Sequence, residues 1–141
     1  MITKLDDPSM YGYIKDTGHA LRNALAERAT FCDPFVELMT THDFKRVYFV
    51  GSGTSYNASI YISTLMQRYA RVEASAAFPT RFDERDVATS GAYGPEQVLV
   101  VGVSQSGTSV STIDVMRRAH EAGFYALALT DVMDSPVTES A

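Results

Sequence analysis

Residues that could bind an anion are concentrated between positions 101 and 112, which read VGVSQSGTSVST. Six of the nine residues from 104 to 112 carry a hydroxyl, and they follow an apolar run. The first N–H groups of a helix are unpaired and carry a partial positive charge, and hydroxyls add neutral donors beside them. Helix capping needs only one or two such residues. The excess therefore predicts that this segment binds a phosphate.

A second segment, GSGTSYN at 51–57, has the same character. It follows the apolar run RVYFV (46–50) and leads into a helical pattern. We call 51–57 the first loop and GVSQSGTS (102–109) the second loop. If the two preceding strands are parallel neighbours, both loops leave the same edge of the sheet and converge. Because glycine lets the backbone approach a ligand closely, they would form one phosphate pocket without a lysine.

Four serines of these loops are predicted to bind the ligand: Ser55, Ser104, Ser106 and Ser109. Gln105 either orients a sugar hydroxyl or phosphate oxygen, or faces water. Ser111 and Thr112 are expected to be ordinary helix residues that face solvent or bond back to the helix.

Rival loop motifs fit less well. A dinucleotide-binding G-x-G-x-x-G would need glycine where Tyr56 stands, and a phosphate-binding loop of the G-x-x-x-x-G-K-[ST] type would need a lysine that is absent. A nucleophile elbow, G-x-S-x-G, would need glycine in place of Ser106. His120 and Asp131 follow in a hydrolase-like order, yet His120 lies on a predicted helix far from Ser104.

The elements that must position the loops alternate between strand and helix. Apolar runs predict strands at 46–53, 72–75, 97–104 and 125–130, and helical patterns cover 8–40, 55–70, 108–123 and the residues from 136. This alternation predicts an α/β fold: a doubly wound parallel sheet in a three-layer α-β-α arrangement, with ligands at the carboxyl ends of the strands.

Finer features of the helices are predicted from single residues. Asp33 and Pro34 indicate that a helix restarts there, and Asp134 to Pro136 open the last helix. In each of two predicted helices, apolar residues recur at helical spacing and so share one side. In the helix at 55–70 they are Ala58, Tyr61, Leu65 and Tyr69. In the helix at 108–123 they are Val110, Ile113, Met116 and Ala119, which are predicted to point inward.

Composition excludes several classes of partner. The net charge of −5 comes with no cluster of Lys and Arg, which argues against nucleic acid and anionic membranes. No apolar run has the length of a membrane-spanning helix, and the N-terminus lacks the apolar stretch of a signal peptide. Cys32 is the only cysteine and is expected to be half-buried. A lone thiol fits the cytoplasm.

The two loops resemble those of the sugar isomerase (SIS) domain family. GSGTSYNA (51–58) is similar to the first-strand loop of the isomerase half of glutamine–fructose-6-phosphate aminotransferase, and SQSGTS (104–109) is similar to that family's S-x-S-G-x-[ST] signature. LALTD…SP (127–136) also matches. The resemblance covers about residues 46 to 140, and the order and spacing of the loops make it specific.

The resemblance implies a five-stranded parallel sheet, a sugar phosphate as ligand and a homodimer. It implies that Thr54 and the backbone near Gly53 and Gly107 join the four serines and Gln105 in the site. No cofactor and no metal are expected.

The chain also departs from the family's pattern. Thr108 replaces an acidic residue, and Ala76 or Ala77 replaces a glutamate. Isomerisation needs a general base, and Asp131 is the weak candidate, with helix capping as its alternative role. His19, His42 and His120 are expected to be structural or surface residues.

Three readings of the function remain open, of which the third is a binder of bare phosphate or of a nucleotide sugar. In the favoured reading, the chain consists of an N-terminal helical arm (1–45) and a sugar-phosphate-binding domain (46–141). It belongs to an isomerase, deglycase or aminotransferase-type isomerase that acts on an (amino)hexose 6-phosphate. The alternative is a regulatory module that senses a phosphosugar without chemistry. Because the last helix is short, we expect the chain to be a fragment that is truncated before the last strand and inactive alone.

Overall fold

The computed structural model describes residues 9–89 and 91–141. The chain divides into two compact units, the first ending at His42 and the second spanning Asp43–Ala141. Within the described residues, no helix is long and apolar enough to span a membrane.

The first unit is a pair of helices, α1 (Met10–Ala26) and α2 (Arg28–Thr41). Ser9 caps α1, since its side chain accepts from the N–H of Gly12 at 3.1 Å. The predicted restart at Asp33 and Pro34 is wrong, because α2 begins at Arg28 and contains Pro34 in its interior. Proline removes one helical hydrogen bond there without ending the helix. Cys32 is exposed rather than half-buried.

The second unit alternates strands and helices. A π-helical turn, Met66–Ala70, continues α3, and short 3₁₀ turns lie at Pro79–Arg81 and Pro95–Gln97. Its elements in chain order are β1 (Arg46–Gly51), α3 (Thr54–Leu65), β2 (Glu73–Ala77), α4 (Glu84–Thr89), β3 (Val98–Val103), α5 (Val110–Glu121), β4 (Tyr125–Leu129) and α6 (Pro136–Glu139).

All neighbouring strands pair in parallel, in the order β2-β1-β3-β4. The predicted α/β, doubly wound parallel sheet is confirmed, with four strands among the described residues where the resemblance implied five. The apolar run of 125–130 is typical of a buried strand, yet in β4 Tyr125 and Leu129 are exposed and the residues between them are half-buried. The reason is its position at the edge of the sheet, with a neighbouring strand on one side only.

The core lies on the two central strands. Val47 and Val50 of β1 and Leu99 and Val100 of β3 are fully buried. A strand covered by helices on both faces is expected to be apolar throughout, as β3 is. This core fixes the ends of β1 and β3, where the two candidate loops begin.

The inward face of α5 differs from the predicted one. Val110 is 80% exposed, while Thr112 and Val115 are fully buried beside the predicted Met116 and Ala119. Val110 is the first residue of the helix and lies at its open end, so the sheet does not cover it. Thr112 was therefore wrongly taken for an ordinary surface or back-bonded helix residue.

Candidate functional site

The carboxyl ends of β1 and β3 lie side by side. β1 connects to β2 on one side of it, and β3 connects to β4 on the opposite side, so the direction of winding reverses between them. In the register of the pair, Val50 is opposite Gly102 and Gly51 is opposite Val103. The first and second loops therefore start at adjacent positions. Such a reversal of strand order is where open α/β sheets bind their ligands.

Gly51 shows how closely the two loops approach each other. A Cβ added there would lie 2.9 Å from the carbonyl oxygen of Val103 and 3.0 Å from the Cβ of Ser55. A larger residue at this position would push the first loop away from the end of β3. The glycine is thus required by the convergence of the loops.

The first loop turns into α3 at Gly53. Its φ of 58° is in the left-handed region, and no atom lies within 4 Å of an added Cβ, so the space in front of it is open. Thr54 is exposed and Ser55 is half-buried. The N–H of Ser55 donates to the carbonyl of Ser52 at 3.2 Å, and its hydroxyl has no partner among the described residues. That hydroxyl is available to a ligand.

The second loop presents hydroxyls of different exposure. Ser104 is only 4% exposed, whereas Gln105 and Ser106 are exposed. The hydroxyls of Ser106 and Thr108 hydrogen-bond each other at 2.8 Å. Ser109 stands before α5, but its Oγ accepts from the Thr112 hydroxyl at 3.1 Å and does not cap the helix. Capping therefore does not explain these residues.

Several carbonyl groups of the second loop accept hydrogen bonds from other groups of the protein. That of Ser104 accepts from the N–H of Gly107 at 3.1 Å, and that of Gly107 accepts from the N–H of Val137 at 3.0 Å. The carbonyl of Gln105 accepts from the N–H of Asp131 at 3.1 Å and from the Thr130 hydroxyl at 3.2 Å.

Some amide groups of the same loop are left free, although those of Ser104, Gly107 and Thr108 donate to other groups of the protein. Within the described residues, the N–H groups of Gln105, Ser106 and Ser109 have no acceptor. A loop with several bonded carbonyls and several free N–H groups is suited to bind an anion.

Ser135 lies behind the second loop and was missed by sequence reasoning. Gly107 has a φ of 68°, and a Cβ added to it would overlap the Ser135 side chain. Ser135 is 2% exposed, and its Oγ has no hydrogen-bond partner among the described residues. The only signal in the sequence was Ser135-Pro136 as a helix start.

Few charged side chains lie at the carboxyl edge of the sheet, where the two loops are. The two loops contain no Asp, Glu, Lys, Arg or His. Asp131 is exposed next to the second loop, to which its backbone N–H is bonded. His120 lies in the last turn of α5, at the opposite edge of the sheet from the loops. No cluster of three His, Cys, Asp or Glu that could hold a metal occurs among the described residues.

The shifted pKa values belong to ion pairs outside the loops. Hydrogen bonds from Arg117 and Arg118 lower the pKa of Asp114 on α5. Arg118 also pairs with Glu84 of α4. The pair of Arg118 and Glu84 joins α4 to α5, and the contacts of Asp114 lie within α5.

Comparison with known proteins gives relatives of one kind. No family model matches the chain. The isomerizing glutamine–fructose-6-phosphate aminotransferase of Halobacterium salinarum is 30% identical over 141 residues, which cover 96% of this chain and 23% of that protein. The chain thus spans less than a quarter of that relative's length.

Solved structures share the fold. A proposed phosphosugar isomerase from Clostridium difficile superposes with a TM-score of 0.79 at 22% identity, over 94% of this chain and 36% of that one. Tagatose-6-phosphate ketose/aldose isomerase from Escherichia coli gives a TM-score of 0.61 at 20% identity, over 87% of this chain and 33% of that one. The resemblance carried by the two loops is thereby confirmed, and both the fold and the relatives of this chain are those of the sugar isomerase (SIS) domain family.

Proposed function

We propose that this chain binds a phosphorylated sugar at the carboxyl edge of its sheet. The phosphate lies over the start of α5, between the first and second loops. The groups proposed to hold it are the hydroxyls of Ser55, Ser104, Ser106 and Ser109, the Gln105 side chain, Thr54, and the backbone at Gly53 and Gly107.

The observation that carries this proposal is the polarity of the second loop. Its carbonyls at Ser104, Gln105 and Gly107 accept bonds from the protein, so the loop offers N–H and O–H donors on its open side. A dianion accepts hydrogen bonds from such donors. A cation, or a neutral ligand with few acceptor atoms, would not be held by them. The acidic chain, with a net charge of −5, can thus bind a phosphate without a basic side chain.

The reaction proposed for the whole protein is that of a phosphosugar isomerase, deglycase or aminotransferase-type isomerase acting on an (amino)hexose 6-phosphate. The likeness to an isomerizing aminotransferase over 96% of the chain supports an enzyme rather than the alternative, a regulatory phosphosugar sensor. We further propose a homodimer, and the cytoplasm as its compartment because Cys32, the only cysteine, fits a reducing environment.

The test of binding is a calorimetric titration of the full chain with fructose 6-phosphate. Fructose and inorganic phosphate are the controls. We expect the phosphosugar to bind well above both, because it combines the phosphate contacts with contacts to the sugar. No binding by a chain shown to be folded would contradict the proposed pocket.

Substitution of Ser106 locates the phosphate. We expect Ser106→Ala to weaken the affinity by about 1–3 kcal/mol, the usual cost of losing a hydrogen bond to a charged group. Ser111→Ala is the matched control, since Ser111 lies within α5 rather than in the second loop. Equal affinities for the two variants would remove the second loop from the site.

A further inference from the structure

A cavity of about 200 Å³ lies at the amino edge of the sheet, and we call it the amino-edge cavity. Arg46 and Glu73, two of its lining residues, are the first residues of β1 and β2. The first loop begins at the other end of β1, roughly 16 Å away. The cavity is therefore separate from the proposed phosphate site. The residues that line it come from β1, β2, α4 and the segment after α4: Arg46, Tyr48, Glu73, Val87, Ala92 and Tyr93.

Arg46 and Glu73 form an ion pair in the wall of this cavity. They are opposite each other in the register of β1 and β2, and Nη1 of Arg46 lies 2.7 Å from Oε2 of Glu73. Hydrogen bonds from Arg46 and from Tyr93 lower the pKa of Glu73, so its carboxylate is ionised at neutral pH. Since the described lining carries one positive and one negative charge, a ligand without net charge fits it best.

The guanidinium of Arg46 has more donors than partners. An arginine side chain carries five N–H groups. One donates to Glu73 and another reaches the Ser75 hydroxyl at 3.4 Å, while the buried Nε has no hydrogen-bond partner among the described residues. Buried donors without an acceptor are uncommon in proteins. An acceptor atom on a molecule in the cavity would supply what this side chain lacks.

Glu73 offers the complementary function beside it. A carboxylate has about four acceptor sites, and Arg46 and Tyr93 do not use them all. The Glu73 side chain is 55% exposed, so a ligand can reach the remaining sites. The cavity thus presents a donor group and an acceptor group side by side.

The other walls of the cavity are largely aromatic. The guanidinium of Arg46 lies over the Tyr48 ring, 4.9 Å from its centre. The Tyr48 ring packs edge-on against Phe82, with 5.3 Å between the ring centroids. Tyr93 adds a second aromatic ring to the lining. Flat walls of this kind favour a planar ligand, because a ring makes contact over its whole face.

We propose that the amino-edge cavity binds a planar, uncharged heterocycle that carries a ring amide, as the base of guanosine does. In guanine the acceptor O6 lies next to the N1–H and amino donors. Arginine donates to O6 of guanine, and carboxylates accept from N–H groups of bases. Arg46 and Glu73, side by side, match that acceptor and those donors. A cavity of about 200 Å³ has room for a ring system of roughly ten non-hydrogen atoms.

The test is a calorimetric titration of the full chain with guanosine. A nucleoside is used rather than a nucleotide, so that no phosphate can occupy the two loops. We expect saturable binding with a Kd on the order of 0.1 mM, typical of a ligand of this size. Ribose, which lacks the base, should not bind. The derivative 1-methylguanosine, which lacks the N1–H donor, should bind at least about tenfold more weakly.

The variant Ala92→Leu tests the cavity without changing the ion pair. The larger side chain fills part of the cavity, and Ala92 is exposed, so the fold should tolerate it. We expect guanosine to bind at least about tenfold more weakly. Ala58→Leu is the matched control, because it makes the same change at an exposed position of α3 outside the lining. It should bind guanosine as the unaltered chain does.

The variant Glu73→Gln tests the acceptor. Its amide keeps the size of the side chain but removes the charge, so guanosine should again bind at least about tenfold more weakly. Thermal unfolding shows whether the variant folds, and Ala92→Leu makes the test if it does not. Fructose 6-phosphate should bind both variants as it binds the unaltered chain, since the lining lies outside the two loops. The inference and the proposed function can therefore fail separately.

Three results would overturn the inference. The first is a folded, unaltered chain that shows no saturable binding of guanosine. The second is equal guanosine affinity in Ala92→Leu and Ala58→Leu, which would place the ligand elsewhere. The third is equal affinity for guanosine and 1-methylguanosine, which would mean that Glu73 does not read a ring amide.

Discussion

Gly107 is the residue around which the second loop turns. Its φ of 68° is accessible to glycine at little cost, and the Ser135 side chain fills the space that a Cβ would occupy. Its N–H and carbonyl are both bonded, to Ser104 and Val137, so the turn cannot shift to make room. The free N–H groups of the loop depend on this turn for their direction.

We expect Gly107→Ala to lower the free energy of unfolding by about 2–3 kcal/mol and to weaken sugar-phosphate binding. The left-handed conformation alone costs a residue with a Cβ roughly 1–2 kcal/mol, and the overlap with Ser135 adds to it. Urea denaturation and calorimetric titration measure the two effects.

Gly53→Ala tests a glycine that has a positive φ but no steric conflict. Gly53 has a φ of 58° and a ψ of −128°, and no atom lies within 4 Å of its Cβ position, so we expect a loss of about 1–3 kcal/mol from the backbone conformation alone. Urea denaturation measures it, and a loss near zero would show that the first loop accepts a residue with a Cβ at this turn.

Single residues of the site were predictable to different degrees. The hydroxyl-rich loops stood out because capping does not need so many hydroxyls, and in the structure they begin at adjacent positions of β1 and β3. Ser135 and the buried Thr112 did not stand out. Their importance comes from contacts across the fold, with Gly107 and Ser109, that no local pattern encodes.

At the scale of elements, periodicity predicted the helices but not what each face contacts. The apolar stripe of α3 is exposed while Ser59 and Ser63 are buried, because a helical period says only that residues share a side. Likewise Asp33-Pro34 has the composition of a helix start, yet α2 continues through it. Tertiary contacts, which the sequence does not display, decide both cases.

The start of α4 depends on an ionised carboxylate. Asp83 accepts from the N–H of Arg85 at 2.9 Å and from its guanidinium at 2.8 and 3.0 Å. The hydrogen bonds from the Arg85 side chain and backbone lower the pKa of Asp83 from 3.8 to about 2. Since the folded state holds the proton less tightly, Asp83 stabilises the fold fully above its unfolded pKa, and this contribution is lost as the pH falls through about 2.

We therefore expect the free energy of unfolding to decline between about pH 5 and pH 2 less steeply in Asp83→Asn than in the unaltered chain. Glu73 and Asp114 also have lowered pKa values, through Arg46 and Arg117, so the variant should keep part of the decline. Urea denaturation at a series of pH values measures it. Parallel curves for the two proteins would mean that Asp83 gains nothing from Arg85 on folding.

For the molecule as a whole, the alternation of strands and helices was enough to predict the fold class. The four parallel strands are joined by crossover connections, which add β2 on one side of β1 and β4 on the far side of β3. The position of β4 at the edge was not predictable, since an apolar strand is compatible with either place. The proposed pocket follows from this topology, because the sheet brings together two loops that lie about fifty residues apart in the chain.

Binding and turnover make different demands on this chain, and we expect it to bind fructose 6-phosphate without isomerising it. Isomerisation moves a proton between C1 and C2 and needs a general base within hydrogen-bond reach of that proton. The two loops carry no Asp, Glu, His or Lys, and the acid–base candidate, Asp131, is exposed after β4. Proton NMR of the sugar in D₂O measures abstraction directly, and the C1 proton signals should persist. If they exchange, and Asp131→Asn stops the exchange while leaving the affinity unchanged, the chain is itself a catalyst with Asp131 as its base.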